Sequence, residues 1–351
     1  MRKAANFSLI FAIATLSFLT SRNLRAQASC FDHAMQLFQQ RQWKYAAAEF
    51  DRCEREEPGK TASLLYRGKS LVNLGELEEA ATALTTYRQT HSHSEDAAYL
   101  LAYICFRQNR PHESLQLYND AVKLKGPTAD DLKIVALDYV LLNDYNDAAR
   151  YLEKALAMDP ANIEAYYHLG RVRYQQNQFD LAIAAFRQVL QRDPANVKAE
   201  DNLGLSLEAK NEIDAAIAAY RKAIHLDENA SAHNEQPYLN LGTLLAKSNR
   251  TKDAVPLLVR ATAIDAKNAK AHYQLAKAYF DVERFDDALP EAERAINLDA
   301  GNSANHYLLG RIYQRTGKIN LADDQFRLTE ELIRKNRSEA GSGMASGIGP
   351  N

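Results

Sequence analysis

The 351-residue sequence has no surplus of either charge: 43 Lys and Arg stand against 45 Asp and Glu, a net charge of −2. General affinity for nucleic acid or anionic lipid needs a basic surplus, so neither is an expected partner. Long apolar runs are also missing. The stretch from Phe7 to Leu19 is the main one, and it falls short of the roughly 20 residues that span a bilayer. The usual signatures of catalysis are absent too. There is no His-Glu-x-x-His, no Gly-x-Ser-x-Gly and no Cys–His pair. Gly68-Lys69-Ser70 resembles the end of a phosphate loop, but Ser63 stands where its first glycine belongs. His91 and His93 form a lone His-x-His with no further ligand at metal spacing. Glu78, Glu79, Asp286 and Asp287 fall on outward helix faces, where solvation accounts for them. These absences argue against an enzyme and give no reason to expect a metal or cofactor.

Cysteine is scarce but placed suggestively. Arg2 and Lys3 precede the apolar run, and Ala26-Gln27-Ala28 follows it. That order predicts a secretory signal over residues 1–28, cleaved after Ala28. An uncleaved membrane anchor is one alternative. A lipoprotein acylated at Cys30 is another, although Gln27 occupies the place of an aliphatic residue. Export to an oxidising compartment permits a disulfide, and Cys30, Cys53 and Cys105 all lie in the mature chain.

What fills the rest is a period of 34 residues. Units begin near 27, 61, 95, 129, 163 and 197. Four extra residues around Ser231 to Asn234 then shift the phase to 235, 269 and 303. The eighth position is always small, as at Gly68, Gly170, Gly204, Gly242 and Gly310, and the twentieth is Ala or Ser. Positions 4, 7, 8 and 11 share one helix face at 100° per residue. Small residues at 8 and 20 let two helices approach closely. Asn177, Asn211, Asn249 and Gly317 mark turns, and Asp159-Pro160 and Asp193-Pro194 end second helices, since a residue before Pro avoids helical geometry. Pro256 and Pro290 lie early in second helices, where a mild kink is expected and not a break.

The pattern resembles the tetratricopeptide repeat, with Leu-Gly near 7–8, Ala at 20, an aromatic at 24 and Pro at 32. The match covers nine units over residues 29–336. It implies an all-α, right-handed superhelical solenoid of antiparallel helix pairs. A Gly/Ser-rich tail at 337–351 is expected to be disordered.

In the family the face of the first helix opposite the core lines a concave groove. Here positions 5, 9 and 12 give Tyr99 and Tyr103 in unit three, and Tyr167, Arg171 and Tyr174 in unit five. They give Tyr273 and Lys277 in unit eight, and Tyr307 and Arg311 in unit nine. Such residues suit a ligand stripe, though aromatics at position 12 equally suit packing between units. Position 6 adds His168, Asn202, Asn240 and Gln274, whose amides could read an extended main chain or simply edge a solvated groove. Lys198, Lys247, Lys270, Lys277, Arg311 and Arg315 outnumber Asp201, Glu208 and Asp281, which favours an acidic segment or a C-terminal carboxylate. The clamp of the chaperone-binding members is absent, because Leu137 stands four residues after Lys133. Antiparallel packing of 8 against 20 brings position 4 near 24, one turn from 27, so Cys30 and Cys53 form either a disulfide or a pair of buried core residues. The reading is an exported, non-catalytic scaffold for a protein or extended peptide, acidic in character, serving envelope assembly or secretion in the periplasm or outside. The alternative is a carbohydrate-binding scaffold of polysaccharide export or the cell wall.

Overall fold

A computed structural model describes residues 29–59 and 62–345, with side chains to residue 338. The expected signal segment, residues 1–28, lies outside the described residues. Among the described residues there is no strand, and eighteen helices pack in consecutive pairs. The first four pairs are α1 (Cys30–Gln39) with α2 (Trp43–Glu56), α3 (Ser63–Leu74) with α4 (Leu77–Thr90), α5 (Glu95–Arg107) with α6 (Pro111–Val122), and α7 (Ala129–Leu141) with α8 (Tyr145–Met158). They form a compact N-terminal unit that ends at Pro160. The C-terminal unit starts at Ala161 and holds five pairs. These are α9 (Ile163–Gln175) with α10 (Phe179–Arg192), α11 (Val197–Ala209) with α12 (Ile213–Glu228), and α13 (Gln236–Lys247) with α14 (Thr251–Ile264). Then come α15 (Ala269–Asp281) with α16 (Phe285–Leu298) and α17 (Ser303–Arg315) with α18 (Ile319–Ala345).

The helices start and stop for local reasons. Ser94, Thr128, Asn162, Asn196 and Asn268 each cap a first helix by accepting a hydrogen bond from the backbone N–H three residues on. The turn inside every pair passes through one left-handed residue, with φ between 58° and 81°, at Arg41, Gly75, Asn109, Asn143, Asn177, Asn211, Asn249, Glu283 and Gly317. Asn and Gly tolerate that conformation, while Arg41 and Glu283 hold it against a steric cost. α14 and α16 run unbroken through Pro256 and Pro290. α18 continues to Ala345, past the boundary expected at residue 337, and the rest of the expected tail, residues 346–351, lies outside the described residues. Arg334 to Ala340 contains no Pro, and extending an existing helix fixes one residue at a time without a new nucleus.

The small eighth residue is where two helices touch. Gly170 is buried, and a Cβ there would lie 2.6 Å from Phe186 Cε1. At Gly204 the same atom would lie 2.6 Å from Tyr220 Cδ1. Phe186 and Tyr220 are fully buried, as are Ala182 and Ala216 at position 20. These residues join Leu239, Leu258 and Leu275 in one core through the C-terminal unit, so each pair buries its apolar face against its neighbours. Cys30 and Cys53 are joined by a disulfide, with Cα atoms 5.5 Å apart, tying the start of α1 to the end of α2. Cys105 is a buried free thiol whose pKa burial pushes up.

Candidate functional site

Groove-face residues of the C-terminal unit divide into those engaged in packing and those left for a ligand. Tyr167 leans on the core and its ring meets Phe186 at 6.0 Å between centroids. Tyr174 packs against Phe179 at 5.5 Å, and Tyr273 against the core of repeats eight and nine. Tyr307 also meets an aromatic ring, Phe326 at 5.9 Å between centroids, but 51% of its surface stays exposed.

The amides at position 6 are less available than the sequence suggests. Asn240 is buried and its Nδ2 donates to both carboxylate oxygens of Asp201, at 3.0 and 3.1 Å. Asn202 Nδ2 donates to Lys198 O at 2.7 Å and to Tyr167 Oη at 3.4 Å. The Asn240 amide nitrogen is therefore already engaged by Asp201, and the Asn202 amide nitrogen by Lys198 O and Tyr167 Oη. Gln274 is half-buried. The cause is helix spacing: stacked first helices bring positions 5 and 6 of neighbouring repeats within bonding distance of each other.

Charge sorts more sharply. Lys247 pairs with Glu208 at 3.2 Å and Arg315 with Glu283 at 3.3 Å. Asp201 is buried, and desolvation pushes its pKa up to about 7. Removing these from the groove count leaves Lys198, Lys270, Lys277 and Arg311; these four and Arg171 of repeat five are all exposed, and none is in an ion pair with a described residue. The Arg311 guanidinium lies 4.5 Å from the Phe280 ring centroid, which links repeats eight and nine. Asp281 is exposed on the same helix face. Exposed cations that no carboxylate holds in an ion pair can neutralise an anionic ligand without first breaking bonds.

In the N-terminal unit Tyr99 and Tyr103 lie together in a cleft of about 470 Å³, with Leu100, Ile134 and three lysines. Beneath it sits a cluster that the sequence reading missed. Ser114 Oγ lies 2.8 Å from Ala102 O and 2.6 Å from Asp138 Oδ2. A hydroxyl has one hydrogen for these two acceptors. Both bonds form only if Asp138 is protonated, donates to Ser114 Oγ, and Ser114 donates on to Ala102 O. Burial pushes the Asp138 pKa up to about 7, in keeping with that count. The signal was present in the sequence: position 10 holds Ser70, Ile104, Val172, Ser206, Leu244, Ala278 and Ile312 in seven other repeats, all buried, while Gln36 of repeat one is exposed. An Asp at 138 breaks that row.

Among the described residues no group of three His, Cys, Asp or Glu side chains could hold a metal ion, and no helix is long and apolar enough to cross a membrane.

Tetratricopeptide-repeat sequence models match residues 31–89, 67–129, 136–197, 169–233 and 273–322, and a second model of the same description matches 245–291. These matches cover well over half of the sequence, and the chain belongs to the tetratricopeptide repeat family. The fold is similar to a crystal structure of the APC/C hetero-tetramer Cut9–Hcn1, with a TM-score of 0.57 and 15% identity over 86% of this chain and 59% of that one. The crystal structure of YrrB, described as a TPR protein with an unusual peptide-binding site, matches at 21% identity and a TM-score of 0.44 over 52% of this chain and 93% of that one. Among curated proteins, the rhomboid protease GluP of Bacillus subtilis (strain 168) is 29% identical over 86 residues, which is 24% of this chain. The matched part spans 17% of that protease's length.

Proposed function

We propose that the protein is an exported, non-catalytic interaction scaffold whose first-helix face in repeats five to nine holds an extended acidic segment of a partner protein. The observation that carries this is the row Arg171, Lys198, Lys270, Lys277 and Arg311, exposed and without carboxylate partners, beside the exposed ring of Tyr307. Family membership supports an interaction scaffold. Export is supported by the charged and apolar start of the sequence and by the Cys30–Cys53 disulfide, a bond that persists in oxidising compartments. That bond uses the sulfur that acylation would need, which favours a cleaved signal over a lipoprotein. Envelope assembly or secretion is the setting such a scaffold suits. The carbohydrate reading has less support, because Tyr167, Tyr174 and Tyr273 give part of their ring surface to the core.

The test is titration of the full exported chain with a fluorescent Glu-rich extended peptide at low and high salt. Binding should weaken as salt rises, and the variant Arg171→Glu/Lys277→Glu/Arg311→Glu should lose about a hundredfold in affinity, or roughly 1 kcal/mol per site. Tyr307→Ala should lose less. Unchanged affinity in the charge-reversed variant would refute the site. Retention on a polysaccharide column, lost in Tyr307→Ala, would transfer the case to the carbohydrate reading.

A further inference from the structure

The cleft in the N-terminal unit differs in chemistry from the cationic row. Its walls are Tyr99, Leu100 and Tyr103 of α5 and Ile134 of α7. Its rim carries Lys69, Lys125 and Lys133, and every one of these charges is matched nearby. Lys69 Nζ lies 2.6 Å from Asp96, Lys133 Nζ 2.9 Å from Asp130, and Lys125 Nζ 3.7 Å from Glu95. Asp131 is held in the capping box of α7, accepting from Thr128 N at 2.8 Å and Thr128 Oγ1 at 2.7 Å.

The phenol hydroxyls are engaged as well. Tyr99 donates to Lys125 O at 2.7 Å, and Tyr103 accepts from Arg107 Nη1 at 2.6 Å. What remains to meet an occupant is mainly ring surface, the aliphatic carbon of Leu100 and Ile134, the Tyr103 hydroxyl hydrogen, and a rim of zero net charge. A charged occupant would have to break an existing ion pair to gain a new one. An uncharged apolar group only displaces water from carbon, which is favourable in proportion to the area covered. The volume lies within the range of sites that enclose small ligands, which is ample for one large side chain and its flanking main chain.

We infer that this cleft seats one bulky uncharged side chain, aromatic or branched aliphatic, of an extended protein segment. It is a second recognition element, chemically opposite to the acid-binding row. The proposal rests on the peptide-binding reading only in taking the occupant to be a peptide.

The experiment uses the full chain and three capped short peptides that share neutral flanks and differ in a central Phe, Glu or Lys. Binding is read from perturbed Tyr99 and Tyr103 signals in NMR spectra and from calorimetry. The Phe peptide should bind about tenfold or more better than the other two, with little dependence on salt. Ile134→Lys, which adds an unmatched charge to the wall, should abolish that binding. Ile134→Val should retain it, and helix content together with affinity for the Glu-rich peptide should stay unchanged in both. The inference is overturned if the Glu or Lys peptide binds the cleft better, if a neutral oligosaccharide displaces the Phe peptide, or if no peptide perturbs the two tyrosines. Failure of the parent chain to bind the Phe peptide while it binds the Glu-rich one defeats this proposal alone, and the reverse outcome in the parent chain defeats the acidic-segment reading alone.

Discussion

Gly170→Leu is expected to destabilise the C-terminal unit by about 3 kcal/mol, the upper end of what overpacking costs. The first added carbon already lands 2.6 to 2.9 Å from three atoms of the Phe186 ring. That ring is fully buried against Ala182 and Leu203, so it has no free direction in which to yield. Replacing Gly inside a helix would by itself gain up to about 1 kcal/mol of helix propensity, and the clash must exceed this for the variant to lose stability. The companion variant Gly170→Leu/Phe186→Ala exchanges volume across the same contact and should recover most of the loss. Repeat eight shows that an alanine is tolerated opposite, since Ala276 and Ala292 are both buried there. Chemical denaturation of the three proteins would decide the matter, and equal midpoints for Gly170→Leu and the parent chain would contradict the account. Because stability in a repeat array sums over neighbours, protection from hydrogen exchange should fall most in α9 to α11.

Asp138→Asn should stabilise the N-terminal unit at neutral and alkaline pH. The sign follows from linkage. The Asp138 carboxyl is pushed up from its ordinary 3.8 to about 7 in the folded chain, so between those values the folded state holds a proton that the unfolded state has lost. Stability therefore falls as pH rises from about 4 to about 7 and is level above that. Desolvation is the cause, opposed by the Ser114 bond, and Asp138 Oδ1 has no hydrogen-bond partner. At about pH 8 the substitution should gain roughly 2–4 kcal/mol in the repeats around α5 to α8, and at about pH 4 close to nothing. An Asn amide can donate to Ser114 Oγ as the protonated acid does, so the relay to Ala102 O is preserved. Asp201, raised for the same reason in the C-terminal unit, remains in place and serves as an internal reference. Amide exchange measured across that pH range would show the difference, and a variant that loses stability at alkaline pH would show that Asp138 is ionised and paired in the folded chain.

The two cases mark what a sequence can and cannot disclose. Gly170, Gly204, Gly242 and Gly310 were legible because close helix contact demands the smallest residue and the demand returns in every repeat. The turn asparagines were legible for a similar reason, since few residues accept a left-handed backbone. Asp138 was missed because the reading took positions 4, 7, 8 and 11 as the inner face, and position 10 is also enclosed once neighbouring pairs stack. The groove was half legible. Residue types identified Arg171, Lys277 and Arg311 as candidates. Whether a charge is engaged depends on which carboxylate a neighbouring helix places within reach, and only coordinates tell Lys69, paired with Asp96, from Lys277, which is not paired. Asn240 makes the same point in reverse, a polar groove candidate that stacking has enclosed against Asp201.

The most direct measurement of the central claim asks which face a ligand touches. A photoreactive benzoylphenylalanine in place of Tyr307, on the first-helix face, is compared with one in place of Leu181, on α10, two positions that are equally exposed at 51%. Irradiation with the Glu-rich peptide should crosslink at Tyr307 and leave Leu181 unmodified, and added salt should suppress the product. Crosslinking at Leu181 equal to or greater than that at Tyr307 would contradict the assignment of the acid-binding surface.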